Sequence, residues 1–178
     1  MKIAVRTLAV AAAVIVMAGF KLAAQAPSLQ AEALKDWTNQ KDMMTKIADA
    51  MPEDKFGFKS TPAQRSYGEQ ILHVAGANVM LFKTYGAKAS APAINAKATA
   101  KAEIIKALAD SYDFGIAAIK EQTDASMMQS VQGPSFMGPS TRTRVAYFSM
   151  NHAMDIYGQM AVYLRLNGIV PPASRNSM

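Results

Sequence analysis

The chain has 178 residues, of which 51% are hydrophobic and 18% charged, which suits one packed domain and hardly two. It contains no Cys and only two His, so disulfides, thiolate metal sites and cysteine nucleophiles are excluded, as is a three-histidine metal site built from this chain alone. The formal charge of +6 is inflated by the N-terminus, as the first segment shows.

Lys2 and Arg6 precede an apolar run from Leu8 to Phe20, and Ala23-Ala24-Gln25-Ala26 supplies small residues after it. This basic, apolar, small order is that of a secretory signal peptide. The run is shorter than the roughly 20 apolar residues that span a bilayer, and Lys21 closes it. Residues 1–26 are therefore predicted to be a signal peptide, cleaved after Ala24 or Ala26, and residues 27–178 to be one exported domain, periplasmic or secreted. Membrane contact is expected only through an uncleaved signal segment. Removing Lys2, Arg6 and Lys21 lowers Lys plus Arg from 19 to 16 against 13 acids, which leaves +3. The remaining positive charges are scattered and not interleaved with aromatics, so nucleic acid is not an expected partner.

Four helical segments follow. In the first, Leu29 to Ala50, Leu34, Trp37, Met44, Ile47 and Met51 recur near helical spacing, and Pro52 ends it. The single Trp is expected to anchor the core. Thr61-Pro62-Ala63-Gln64 offers an N-cap hydroxyl, Pro at the first helical position and Gln three residues after the cap. A second helix is predicted from there through Tyr67, Ile71, Val74, Val79 and Phe82 to a stop at Gly86. Ala87 to Lys97 reads as a connection. The third helix spans Ala98 to Gln122 on a stripe of Ile104, Leu108, Tyr112, Ile116 and Ile119. Gly115 within it costs about 1 kcal/mol relative to Ala. Thr123 to Ser140, marked by Gly133-Pro134 and Gly138-Pro139, is a long loop of the kind that often carries function. The fourth helix runs from Thr141 to Asn167, with Gly168 past its end and Pro171-Pro172 preventing continuation. No sustained strand alternation appears. The fold expected is all-α, an antiparallel four-helix bundle, although the two long loops allow crossovers between non-neighbours.

At about 100° per residue, Val145, Phe148, Ile156, Gln159 and Tyr163 lie within about 40° of His152, and Asp155 stands at the edge of that stripe. His73 shares a face with Ser66, Glu69, Ala77 and Met80, with Gln70 at its edge. Two His on stripes read as core-facing can converge between helices, as bundle metal sites do. Glu69 and Asp155 can complete a His/carboxylate set or fix the imidazole tautomers, while each His can equally be a hydrogen-bonded core residue. No Gly-rich phosphate loop and no Gly-x-Ser-x-Gly nucleophile elbow is present. The scattered Met residues read as packing rather than a copper site.

In Gly68-Glu69-Gln70-Ile71-Leu72-His73, in the run His152-Ala153-Met154-Asp155-Ile156-Tyr157-Gly158-Gln159-Met160-Ala161-Val162-Tyr163-Leu164-Arg165, and in the closing Asn167-Gly168-Ile169-Val170-Pro171-Pro172-Ala173-Ser174, the chain resembles the DinB-like (DinB/YfiT) superfamily. The resemblance covers about residues 29–175. It implies a four-helix bundle holding a divalent metal through three His, one on the second helix and an HxxxH pair on the last. Some members are thiol-dependent transferases or isomerases using bacillithiol, mycothiol or glutathione. His73 matches the second-helix ligand and His152 the first of the last-helix pair; the second of that pair falls on Ile156, which has no donor atom.

Two functions are compatible with this pattern. One is an exported protein with a degenerate His site that binds a small molecule of unidentified class, with Zn or Ni bound weakly or not at all. The other is a divalent-metal-dependent enzyme, a thiol-dependent transferase or isomerase or a hydrolase, using His73, His152 and Asp155 or Glu69. A homodimer is left open.

Overall fold

The computed structural model describes residues 27–177, so the expected signal segment lies outside the described residues. Among these, four long helices form the frame: α1 (Leu29–Asp49), α2 (Tyr67–Phe82), α3 (Lys101–Lys120) and, after a short α4 (Asp124–Met127), α5 (Arg142–Leu166). Helix ends follow local chemistry. The Ser28 hydroxyl accepts from the Ala31 N–H at the start of α1, and Thr141 accepts from the Arg144 N–H at the start of α5. Gly168, at φ 71°, closes α5 in the left-handed conformation that glycine adopts without strain.

The second helix does not begin at Thr61. Thr61 to Gln64 closes as a turn through the Gln64 N–H and the Thr61 carbonyl at 3.1 Å. α2 begins after Ser66, where a reciprocal capping box joins Ser66 and Glu69. Two further N–H groups of its first turn, on Tyr67 and Gly68, donate to the Phe58 and Phe56 carbonyls. A cap supported by tertiary hydrogen bonds thus prevails over one that had only local spacing. The third helix also starts later than expected, at Lys101, with Ala100 at its N-cap making no side-chain hydrogen bond. The long loop after α3 is ordered by α4 and by a small hairpin, β1 (Ser130–Gln132) against β2 (Pro139–Thr141), with Ser130 opposite Thr141. Three-residue strands are too short to show alternation in a sequence.

Specific contacts set the helix directions. Trp37 and Lys41 of α1 meet Tyr112 and Asp113 of α3, whereas Lys101 at the start of α3 reaches Asp49 at the end of α1. These helices are antiparallel. Gly68 of α2 lies on Ile104 of α3, and Asn78 donates to Ser111 further along both, so α2 and α3 run parallel. Gln70 with Gln159, and His73 with His152, make α2 and α5 antiparallel. The bundle is therefore up-down-down-up, not antiparallel throughout, with α1 packed mainly between α3 and α5, and α2 on the opposite side of the bundle, also against both. The 83–100 connection makes this possible by returning the chain along the length of the bundle.

The core is organised around Trp37, which is fully buried. Its Nε1–H donates to the Tyr112 carbonyl at 3.0 Å, and its ring lies 4.6 Å from both Phe82 and Tyr112, so one side chain ties α1 to α2 and α3. Gly115 is the reciprocal feature: a Cβ there would stand 2.5 Å from Trp37 Nε1 and 2.8 Å from Cε2. Gly115→Ala gains about 1 kcal/mol in helix propensity but forces the hydrogen-bonded indole to move, an overpacking cost of about 1–3 kcal/mol. The net expectation is a less stable protein, read as a lower urea midpoint with an unchanged slope; a raised midpoint would mean that the indole shifts freely.

Candidate functional site

The two imidazoles meet at the seam between α2 and α5, with ring centroids 4.9 Å apart and planes at 83°. The antiparallel register produces this contact. His73, three residues beyond Gln70 on α2, faces His152, seven residues before Gln159 on α5, while Gln70 and Gln159 pair at 2.8 Å. The pair is not in the bundle interior. The stripe that His73 shares with Glu69, Ala77 and Met80 is the solvent side of α2, with Glu69 exposed and Met80 45% exposed. Eleven of the sixteen α2 residues are buried, so the helix is covered by neighbours on every side except this one. His73 is half-buried along the seam. His152 is likewise half-buried on the flank of α5 that faces α2.

Neither ring has a hydrogen bond among the described residues, and Nε2 of His152 is buried without a partner. Burial is the main cause that lowers the proton affinity of both. For His73 the charges of Arg65 and His152 act in the same direction. For His152 the nearby Asp155 carboxylate opposes the shift and Arg65 adds to it. Both are thus neutral imidazoles at pH 7, each with one N–H donor and one bare nitrogen.

The carboxylates considered with them have other partners. Glu69 Oε2 accepts from the Ser66 N–H at 2.6 Å and lies 3.5 Å from Lys59 Nζ. These contacts hold its carboxyl below the usual range, the backbone hydrogen bond being the largest cause. Asp155 is exposed and accepts from Gln159 Nε2 at 3.1 Å, so it closes a chain of three side chains that runs from the fully buried Gln70 outward. Ile156 is only 3% exposed and belongs to the apolar core. Among the described residues no three His, Asp or Glu side chains are gathered closely enough to hold a metal ion.

Beside His73 an open pocket of about 460 Å³ lies along the outer face of α2, bounded by Arg65, Glu69, Leu72, Gly76 and Met80, a volume within the range of small-molecule sites. Arg65 carried no signal in the sequence, because it precedes the capped helix and takes no part in its periodicity. The exposed stripe of α2 was legible in spacing, but not the direction in which it faces.

A bundle of this topology with an imidazole pair between its second and last long helices defines a class, and sequence comparison assigns the chain within it. The sequence model of the DinB superfamily matches residues 36–160, and the chain belongs to that superfamily. Among solved structures, a DinB-like protein from Bacillus cereus ATCC 10987 is similar in fold, with a TM-score of 0.70 and 20% identity over 79% of this chain and 93% of that one. No curated protein matches the chain significantly.

Because both imidazoles are held below their ordinary value of 6.5, the unfolded chain binds more protons than the folded one once pH falls below about 6.5. Stability is fully present above that value and declines as pH falls from it. Glu69 and Asp124, lowered from 4.5 and 3.8, act only at lower pH. Melting temperatures at pH 7.5, 6.5 and 5.5 are expected to fall in that order, and the slope to flatten in a His73→Gln/His152→Gln double variant. His152→Leu removes an unpartnered buried nitrogen, so it is expected to be neutral or stabilising at pH 7; a loss of 2 kcal/mol or more, in the order of a broken buried hydrogen bond, would contradict the geometry.

Proposed function

We propose that this DinB-superfamily protein is exported and that its His site is a degenerate one, which binds a small molecule rather than working as a metal-dependent enzyme. The observation that carries the reading is Ile156. The resemblance implies an imidazole at that position, and a buried Ile packed into the core leaves neither a donor atom nor space for one. His73 and His152 alone fall short of the three protein ligands usual at a catalytic metal. Neither carboxylate is a ready substitute, since Glu69 caps α2 and pairs with Lys59 while Asp155 is held by Gln159. The residues present therefore do not fit a three-ligand divalent metal.

What the seam offers instead is recognition. The neutral ring of His73 lines a pocket with apolar walls and a few polar groups, the usual make-up of small-molecule sites, and His152, whose buried Nε2 lacks a partner, stands against that ring outside the lining. Support for export comes from the basic, apolar, small order of residues 1–26. Among the described residues no helix is long and apolar enough to cross a membrane.

Calorimetric titration with Zn²⁺ and Ni²⁺ tests the metal side of this reading. The parent is expected to bind weakly or not at all. Ile156→His places two imidazoles four residues apart on one helix face beside His73. It is expected to bind one metal per chain while losing about 1–3 kcal/mol of stability without metal, a loss that metal reverses by mass action. One tightly bound metal per chain in the parent would mean that a carboxylate replaces the missing His, and would overturn the degenerate-site reading.

Mass spectrometry of protein recovered from the periplasm or medium tests export. The expected N-terminus is Gln25 or Pro27, and material retaining Met1 on membranes would refute cleavage.

A further inference from the structure

The pocket on the outer face of α2 has an unbalanced charge at its rim. Arg65 stands immediately before the cap of α2, and its carbonyl accepts from the Tyr163 hydroxyl at 2.8 Å, so its backbone is fastened to α5. Its guanidinium has no carboxylate partner among the described residues. Its charge nevertheless reaches both imidazoles and disfavours their protonation. The one acid on the rim, Glu69, is already matched by the Ser66 N–H and Lys59. The floor of the pocket is apolar, made by Leu72, Gly76 and Met80. A Cβ at Gly76 would have nothing within 4 Å, so the space above that stretch of helix is open to a ligand.

We propose that this pocket binds a small organic acid, its carboxylate paired with the Arg65 guanidinium and a short apolar body lying over Leu72, Gly76 and Met80. The guanidinium fork matches a carboxylate in geometry as well as charge, and the neutral ring of His73 adds an N–H donor to the same rim. An exposed ion pair alone holds a ligand weakly, so the apolar floor supplies the rest by burying the body of the acid, a substantial part of the 45% exposed Met80 included. An apolar ligand without the acid would leave Arg65 unpaired, and a bare anion would leave the floor uncovered. The proposal rests on the small-molecule reading of the site and narrows it to one chemical class.

The test is an amide NMR titration of the purified protein with hexanoate and, as its uncharged counterpart, hexan-1-ol. Hexanoate is expected to shift the amides from Leu72 to Met80 saturably, and hexan-1-ol to bind about two- to fivefold more weakly, the factor that one exposed charge pair corresponds to. Arg65→Gln is expected to lose the same factor for hexanoate with an unchanged melting temperature, since the side chain makes no hydrogen bond or ion pair among the described residues, and Arg65→Lys to retain part of it. Equal affinity for the two compounds, or hexanoate binding unchanged in Arg65→Gln, would overturn the acid class while leaving a small-molecule pocket standing. Failure of both compounds to move these amides at millimolar concentrations would overturn the small-molecule reading together with the proposal.

Discussion

The contact between the Trp37 indole and Gly115 sets the spacing on which the bundle depends. A large ring that donates a hydrogen bond to a helix carbonyl must approach the backbone of α3 closely, and only a residue without a Cβ permits this. The cost of a mid-helix Gly, about 1 kcal/mol, is offset by complete burial of the largest side chain in the protein, about 1.5–3 kcal/mol for a large apolar group. Phe82 and Tyr112 close on the same ring, so the spacing of α1 from α3 and the position of the C-terminal end of α2 are set by one cluster. Away from it, α2 is positioned by its long contact with α3 and by the seam with α5.

That seam holds a graded series of polar groups. Gln70 is fully buried, Gln159 is intermediate and Asp155 is exposed, and their hydrogen bonds run outward in that order. A turn of helix away, the two imidazoles have no such chain. They contact each other and leave one buried nitrogen without a partner. A buried polar atom without a partner costs about 1–3 kcal/mol, and at this seam Gln70 and His152 each leave one such atom. The hydrogen-bonded glutamine chain and the imidazole pair, which has no hydrogen bond, lie side by side along the seam, and it is the imidazole pair that reaches the pocket, through His73.

The far end of the bundle shows how the long loop is held. The Arg142 Nε–H donates to the Tyr85 carbonyl at 3.1 Å while the Tyr85 hydroxyl donates to the Arg142 carbonyl at 2.7 Å, and another guanidinium nitrogen of Arg142 reaches Ser126 at 3.0 Å. One Arg thus fastens the start of α5 to the end of α2 and to α4. Since the register of α5 against α2 decides which side chains face each other across the seam, this clamp helps to keep His152 opposite His73.

What the sequence alone determined was local. Apolar residues at helical spacing located all four long helices to within a few residues at most ends, and glycine and proline marked the stops. A six-residue run on α2, a fourteen-residue run on α5 and the closing run from Asn167 to Ser174 carried the superfamily resemblance. They also singled out His73, His152 and the anomalous Ile156 before any geometry was known. The capping box at Ser66 was present in the sequence as well, but the more N-terminal Thr61 signal matched the same pattern, and the Phe56 and Phe58 carbonyls that favour Ser66 are brought there only by folding. Tertiary structure alone decided the directions of the helices, the side on which His73 emerges and the presence of Arg65 at the pocket. The reason is that helical periodicity gives the angle of each side chain around its own axis but not which neighbour covers that angle. On α2, where apolar residues occur on nearly every side, the stripe left to solvent is known only once α3 and α5 have covered the others.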